Sequence, residues 1–158
     1  MSPKTENLDT ASPAPTFTME TPDGPVSLSD FAGAKLVLYF YPKDDTSGCT
    51  AEAIAFSGLA DDFRNAGTTV IGVSKDSVAS HRKFATKHNL TVKLAADPEG
   101  TTVEAYGAWV EKSMYGRKYM GIDRSTFLIG PDGKIAAIWR KVKVPGHADA
   151  VLKAAKAL

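Results

Sequence analysis

The sequence predicts an α/β protein with a mixed central β-sheet and helices on both of its faces. Residues 36–41 and 68–74 are apolar runs typical of strands buried on both sides, and a segment with helical periodicity follows each. Later in the chain, two further apolar runs flank the turn Gly130-Pro131-Asp132-Gly133. Strand–helix–strand units imply parallel pairing and the late hairpin implies antiparallel pairing, so the predicted sheet is mixed.

The other elements follow from local patterns. Residues 16–19 and 26–28 flank a Pro- and Gly-containing turn and predict an N-terminal β-hairpin. Helices are predicted over residues 49–66, 77–88, 101–106 and 148–158, and a short strand over residues 92–95. We expect a mobile N-terminal arm over residues 1–13 and a single domain over residues 14–158. This order of elements is thioredoxin-like.

Composition excludes several classes of function. The 19 basic and 18 acidic side chains give a net charge of +1, without the basic excess typical of nucleic-acid binding. The sequence contains no apolar run long enough to span a membrane, and its N-terminus shows no secretory signal. A cytoplasmic location is the default expectation. Its single cysteine excludes an internal disulfide, a Cys-x-x-Cys pair and a multi-cysteine zinc site, and suits a reducing compartment.

Cys49 is that single cysteine, and it lies where a predicted central strand has ended and a helix begins. Active groups gather at the carboxyl ends of such strands. The positive end of the helix dipole favours an anion, and a thiolate is one. A lone cysteine is more often an inert buried residue, but this position favours a reactive nucleophile.

The residues around Cys49 resemble a known active-site loop. Residues 41–50, Tyr-Pro-Lys-Asp-Asp-Thr-Ser-Gly-Cys-Thr, carry the pattern Pro-x-x-x-Thr-x-x-Cys, which is similar to that of the peroxiredoxins. Residues 39–52 resemble the bacterioferritin-comigratory, or peroxiredoxin Q, subfamily. Residues 112–129 resemble the segment of that subfamily around its active-site arginine, here Arg124. The resemblance runs from about Ala11 to the C-terminus.

The resemblance implies a peroxidase that reduces hydrogen peroxide and organic hydroperoxides without a metal or an organic cofactor. Cys49 would attack a peroxide oxygen and become a sulfenic acid. Thr46, Arg124 and the backbone N–H groups of Gly48 and Cys49 would stabilise the charge on the departing oxygen. Arg124 would also favour the thiolate, and Pro42 would limit water around the sulfur.

Other interpretations of the same residues remain open at this point. Thr46 alone is equally an N-cap and Pro42 a strand terminator. Arg124 alone is typical of a surface salt bridge, and the pair Asp44-Asp45 of a solvated loop. The family pattern joins the first three residues with Cys49 in one order, and this favours an active site.

The chain departs from the subfamily at the positions of its resolving cysteine. The two positions where relatives carry one are Ile54 and, in the next long helix, Ala85; Ser47 replaces a proline of the loop. The sulfenic acid would then be reduced by an external thiol, from thioredoxin, glutaredoxin or a small molecule. We expect a monomer. A peroxide sensor that relays oxidation to a protein partner, and a thioredoxin-fold interaction domain without activity, are the alternatives.

The histidines of the predicted helix 77–88 are not expected to bind metal. His81 and His88 are seven residues apart and share a helix face, but a zinc site needs more ligands. We therefore expect structural or exposed roles for both.

Overall fold

The computed structural model describes residues 8–158 and shows the predicted α/β architecture. A 3₁₀ helix, Leu28–Phe31, follows the N-terminal hairpin. The strands are β1 Thr18–Thr21, β2 Gly24–Ser27, β3 Lys35–Phe40, β4 Thr68–Ser74, β5 Lys93–Ala96, β6 Trp109–Met114, β7 Arg117–Ile122, β8 Ser125–Ile129 and β9 Ile135–Trp139. The helices are α1 Ser47–Gly58, α2 Ala60–Asn65, α3 Val78–His88, α4 Thr101–Ala105 and α5 His147–Ala157.

Seven strands form one mixed sheet in the order β2-β1-β5-β4-β3-β8-β9. Strand β4 is parallel to both β3 and β5, whereas β8 is antiparallel to β3. The predicted hairpins, β1–β2 and β8–β9, form the two ends of the sheet. The carboxyl ends of β3, β4 and β5 therefore lie at the same edge as the start of β8.

The sheet separates two apolar cores, and the central strand β3 contributes side chains to both. Because side chains alternate along a strand, Leu36 and Leu38 enter one core, while Val37 and Tyr39 enter the other, and all four are fully buried. Helix α4 packs in the first core through Val103. The side chains that bring the other four helices into the second core are Ala53, Phe63, Phe84 and Val151.

Two local features differ from the sequence prediction. The helix predicted over residues 49–66 begins at Ser47 and is interrupted at Leu59 (φ −104°, ψ 11°), which separates α1 from α2. The second is a two-stranded ribbon, β6–β7, that the sequence analysis did not predict. It turns at Tyr115 and Gly116, whose φ values of 53° and 78° fit a two-residue hairpin turn.

Residues 1–7 of the predicted mobile arm lie outside the described residues. From Ala11 onward the backbone is hydrogen-bonded to the start of β9: the Ala11 N–H donates to the Ile135 carbonyl (2.7 Å), and the Ile135 N–H donates to the Ser12 carbonyl (2.9 Å). These bonds precede the predicted domain boundary at residue 14. Within residues 8–158, no helix combines the length and the apolarity that crossing a bilayer requires.

A close approach inside the second core generates a test of packing. A Cβ atom added at Gly72 in β4 would lie 2.6 Å from Cζ of Tyr39 in β3. We expect Gly72→Ala to lower the free energy of unfolding by about 1–3 kcal/mol, because Tyr39 is fully enclosed and cannot move aside. Gly58→Ala is the control, since a Cβ there meets nothing within 4 Å. Urea unfolding of both variants checks this, and equal stabilities would contradict it.

Candidate active site

Sheet pairing brings Cys49 and Arg124 together. The chain leaves the carboxyl end of β3, crosses the loop of residues 41–46 and enters α1, whose third residue is Cys49. The antiparallel register sets Phe40 of β3 opposite Ser125 of β8, so Arg124 projects from the same edge. Its Nη2 donates to Cys49 Sγ at 3.5 Å. The cysteine is 1% exposed.

The first turn of α1 directs backbone donors towards this region. Its first backbone bond runs from the Thr50 N–H to the Thr46 carbonyl (2.8 Å), so the N–H groups of Gly48 and Cys49 precede the helical ladder. A Cβ on Gly48 would lie 3.1 Å from Arg124 Nη2. Glycine therefore lets the guanidinium approach the helix end closely.

A buried carboxylate, Glu52, holds the arginine in place. Arg124 Nη1 donates to Glu52 Oε1 at 2.7 Å, which leaves Nη2 for the sulfur. Burial raises the pKa of Glu52 to about 7, against the opposing effect of the Arg124 charge and hydrogen bond. Burial disfavours the charged guanidinium, but Glu52 and Cys49 outweigh it and raise the pKa of Arg124.

Thr46 and Pro42 both belong to the loop of residues 41–46 that precedes α1, and both are exposed. Thr46 is the N-cap residue of α1, but its hydroxyl makes no capping bond; instead it donates to the Lys43 carbonyl at 2.9 Å. Because a hydroxyl has one hydrogen, Thr46 in this state can only accept a further hydrogen bond.

Two further side chains near the arginine, His147 and Tyr39, carry no charge near neutral pH. His147 lies 2.8 Å (Nε2) from the Thr126 hydroxyl, and burial, followed by the charge of Arg124, lowers the pKa of His147 to about 4. Burial also raises the pKa of Tyr39 well above its ordinary value. Among the described residues, the Tyr39 hydroxyl and Glu52 Oε2 are buried without a hydrogen-bond partner.

The prediction of a solvated loop at Asp44-Asp45 is wrong for Asp44. This carboxylate is 7% exposed and accepts hydrogen bonds from the hydroxyls of Tyr41 (2.6 Å) and Ser80 (2.8 Å). His81 lies beside it and is fully buried. Asp45 is exposed, as predicted. The loop backbone reverses direction between the two residues, so adjacent acids face opposite environments.

The structure thus joins Cys49, Arg124 and the Gly48 backbone, while Thr46 and Pro42 are exposed residues of the loop that precedes α1. Sequence reasoning missed Glu52. The signal was its spacing, because a residue three positions after Cys49 shares its helix face. No local pattern pointed to its pairing with Arg124, which depends on the fold. Within residues 8–158, no group of three or more His, Cys, Asp or Glu side chains is placed to hold a metal ion.

These features define a class of protein. A thiol lies at the first turn of a helix that follows the central strand of a thioredoxin-like sheet, and a guanidinium nitrogen lies 3.5 Å from its sulfur. The sequence holds no second cysteine. The class is that of a thioredoxin-fold protein with a single thiol at a helix N-terminus and a cationic hydrogen-bond donor beside it.

Comparison with known proteins gives the family. The chain belongs to the AhpC/TSA family, whose model matches residues 10–138, and it is a thiol peroxidase. It is 48% identical over 142 residues to the putative peroxiredoxin bcp of Coxiella burnetii, covering 89% of this chain and 94% of that protein. It is 47% identical over 153 residues to peroxiredoxin Bcp of Xanthomonas campestris, covering 92% of each.

Solved structures agree with this assignment. The bacterioferritin comigratory protein of Xanthomonas campestris, a structure concerned with alkyl peroxide reduction, superposes with a TM-score of 0.87 at 44% identity, covering 96% of this chain and 97% of that one. Peroxiredoxin Q of the same organism gives a TM-score of 0.88 at 45% identity, covering 96% of each chain. The predicted fold class and the resemblance to the peroxiredoxin Q subfamily are confirmed.

The raised pKa of the buried residue Glu52 predicts how the stability of the chain depends on pH. Because the pKa of Glu52 is about 7 in the folded chain and about 4.5 in the unfolded chain, its contribution to stability is complete below about pH 4.5. It is lost as the pH rises through about 7, by up to about 3 kcal/mol. Glu52→Gln removes this titration.

The free energies of unfolding of wild type and Glu52→Gln should therefore diverge between pH 4.5 and 8, in favour of the variant at the upper end. Denaturant unfolding at a series of pH values measures this difference. Glu104→Gln, in α4, is the control and should follow the wild type. Parallel profiles for wild type and Glu52→Gln would show that folding does not raise the pKa of Glu52.

Proposed function

We propose that this chain is a one-cysteine hydroperoxide reductase with Cys49 as the nucleophile and Arg124 as the principal charge-stabilising group. The observation that carries this is the 3.5 Å hydrogen bond from Arg124 Nη2 to Cys49 Sγ, fixed by Glu52 on the other side of the guanidinium. Relatives named peroxiredoxin Bcp support the same chemistry.

The reaction proceeds by displacement at oxygen. The Cys49 thiolate attacks the terminal oxygen of a hydroperoxide, an S–O bond forms and the O–O bond breaks. The sulfur becomes a sulfenic acid, and the departing alkoxide or hydroxide takes up a proton to leave as alcohol or water. Negative charge shifts from sulfur to the departing oxygen. Arg124 and the N–H groups of Gly48 and Cys49 stabilise charge at that position.

Thr46 has a role that differs from the one the family resemblance implied. Its hydroxyl hydrogen is donated to the Lys43 carbonyl, so we assign it the role of accepting the O–H of the incoming hydroperoxide. That bond orients the peroxide with its terminal oxygen towards Cys49. We assign Pro42, in the same loop, the role of limiting water around the sulfur, and the 1% exposure of Cys49 favours small oxidants.

Recycling requires a thiol from outside the chain, since the sequence has one cysteine. A first external thiol condenses with the sulfenic acid, releasing water and forming a mixed disulfide, and a second thiol reduces that disulfide. Thioredoxin, glutaredoxin and small thiols all supply this chemistry. A cytoplasmic location fits the need for reduced thiols, and the subfamily resemblance supports a monomer.

The role of Arg124 is tested by its removal. Arg124→Ala should lower the second-order rate of Cys49 with hydrogen peroxide by on the order of 10²–10³, as for loss of other charge-stabilising donors. Stopped-flow tryptophan fluorescence measures this rate. Arg117→Ala, which removes an exposed arginine of β7, is the control. Arg124→Lys keeps a cation beside Glu52 and serves if the alanine variant does not fold. An unchanged rate in both variants would reject the role.

The absence of a second cysteine predicts a long-lived sulfenic acid. Excess peroxide without reductant should convert Cys49 to sulfinic acid, which mass spectrometry of the intact chain detects. Introducing a thiol by Ala85→Cys should suppress this product, whereas Ala85→Ser should not. A dominant disulfide between two Cys49 residues during turnover would argue against recycling by an external thiol.

A further inference from the structure

Behind the loop that precedes Cys49 lies a buried cluster that the peroxide chemistry does not use. Its centre is Asp44, in the middle of the loop of residues 41–46, and His81, on α3. His81 Nδ1 lies 2.7 Å from Asp44 Oδ2, and the side chains are 0% and 4% exposed. His81 Nε2 lies 3.0 Å from the Ala95 carbonyl of β5.

The hydrogen-bond partners of His81 determine which of its ring nitrogens carry a proton. A carbonyl oxygen only accepts, so Nε2 carries a hydrogen. Nδ1 faces Asp44, whose carboxylate already accepts hydrogen bonds from Tyr41 and Ser80. Two lone pairs at 2.7 Å would repel each other, so a proton also lies between Nδ1 and Oδ2. His81 and Asp44 therefore form a buried hydrogen-bonded pair.

The cluster also anchors the loop to the sheet. The Asp44 N–H donates to Asp76 Oδ2 (2.8 Å), which also accepts from the Ser74 hydroxyl (2.7 Å) at the end of β4. The next residue, Asp45, has φ 61°, a left-handed conformation that persists only where its surroundings hold it. Asp44 thus fixes the midpoint of a strained loop, two residues from Pro42 and two from Thr46.

We propose that the Asp44–His81 pair is a positioning device of the peroxidase site, which holds the loop so that Thr46 and the first turn of α1 meet the peroxide at Cys49. The proposal rests on the proposed function. Neither residue contacts the sulfur, so the pair acts through the loop. Without it, the loop would leave the site, the peroxide would lose its orienting partners and the buried thiol would become accessible.

Two reactions of Cys49 in the full-length reduced chain, with hydrogen peroxide and with iodoacetamide, test this proposal. Loss of the pair should slow the first reaction and accelerate the second. In Asp44→Asn, the rate with hydrogen peroxide should fall on the order of 10- to 100-fold, as for a misplaced site, while the rate of alkylation by iodoacetamide should rise several-fold. The matched control is Asp45→Asn, because Asp45 is adjacent, exposed and paired only at the surface with Lys87 and His88. Asparagine also tolerates the left-handed backbone.

Conservative substitution keeps the test decisive if Asp44→Asn does not fold. His81→Asn retains an N–H donor towards Asp44 and should keep a higher peroxide rate than His81→Ala. A purely structural pair would lower the melting temperature and leave both rates of the folded protein within twofold of the Asp45→Asn control, and this result would overturn the proposal. A slow wild-type reaction with peroxide, with the alkylation contrast intact, would instead reject the proposed function alone.

Discussion

The hydrogen bonds between β3 and β8 hold together two residues separated by 75 positions of sequence. The loop to Cys49 begins directly after β3, and β8 begins at the residue after Arg124. Because the two strands run in opposite directions, these two points meet at one edge of the sheet. A shift of the register by one residue would turn Arg124 to the opposite face, so the strand pairing itself sets the distance between thiol and guanidinium.

Two buried hydrogen-bonded pairs of polar side chains lie at this edge, Glu52 with Arg124 and Asp44 with His81. Such pairs are weak sources of stability, since the cost of removing polar or charged groups from water offsets their attraction. Their common effect is geometric. One aims a guanidinium nitrogen at the sulfur, and the other holds the loop that leads to it. The helix end between them is therefore fixed from both sides.

The sequence alone was sufficient to predict elements that have a local pattern. It was also sufficient to predict the residues that form a family motif. The apolar run of β3, the late hairpin and Cys49 at the start of a helix are of this kind. The opposite environments of Asp44 and Asp45 were not predictable, because the backbone reverses between them. The partner of Glu52 depends on strand register, which no single segment encodes. The β6–β7 ribbon carries charged and aromatic residues without a clear apolar alternation, so its pattern gave no signal.

Among residues 8–158, the two strands of that ribbon pair only with each other and stand outside the seven-stranded sheet. It leaves and rejoins the domain at one point, where the Asp123 N–H donates to the Ala108 carbonyl at 2.7 Å. Its two ends are held together there, and its tip at Tyr115, which is 99% exposed, is connected to Arg124 through the paired strands. Divergence in length at this tip is therefore mechanically uncoupled from the sheet, and the same position would accept a grafted peptide or a reporter group.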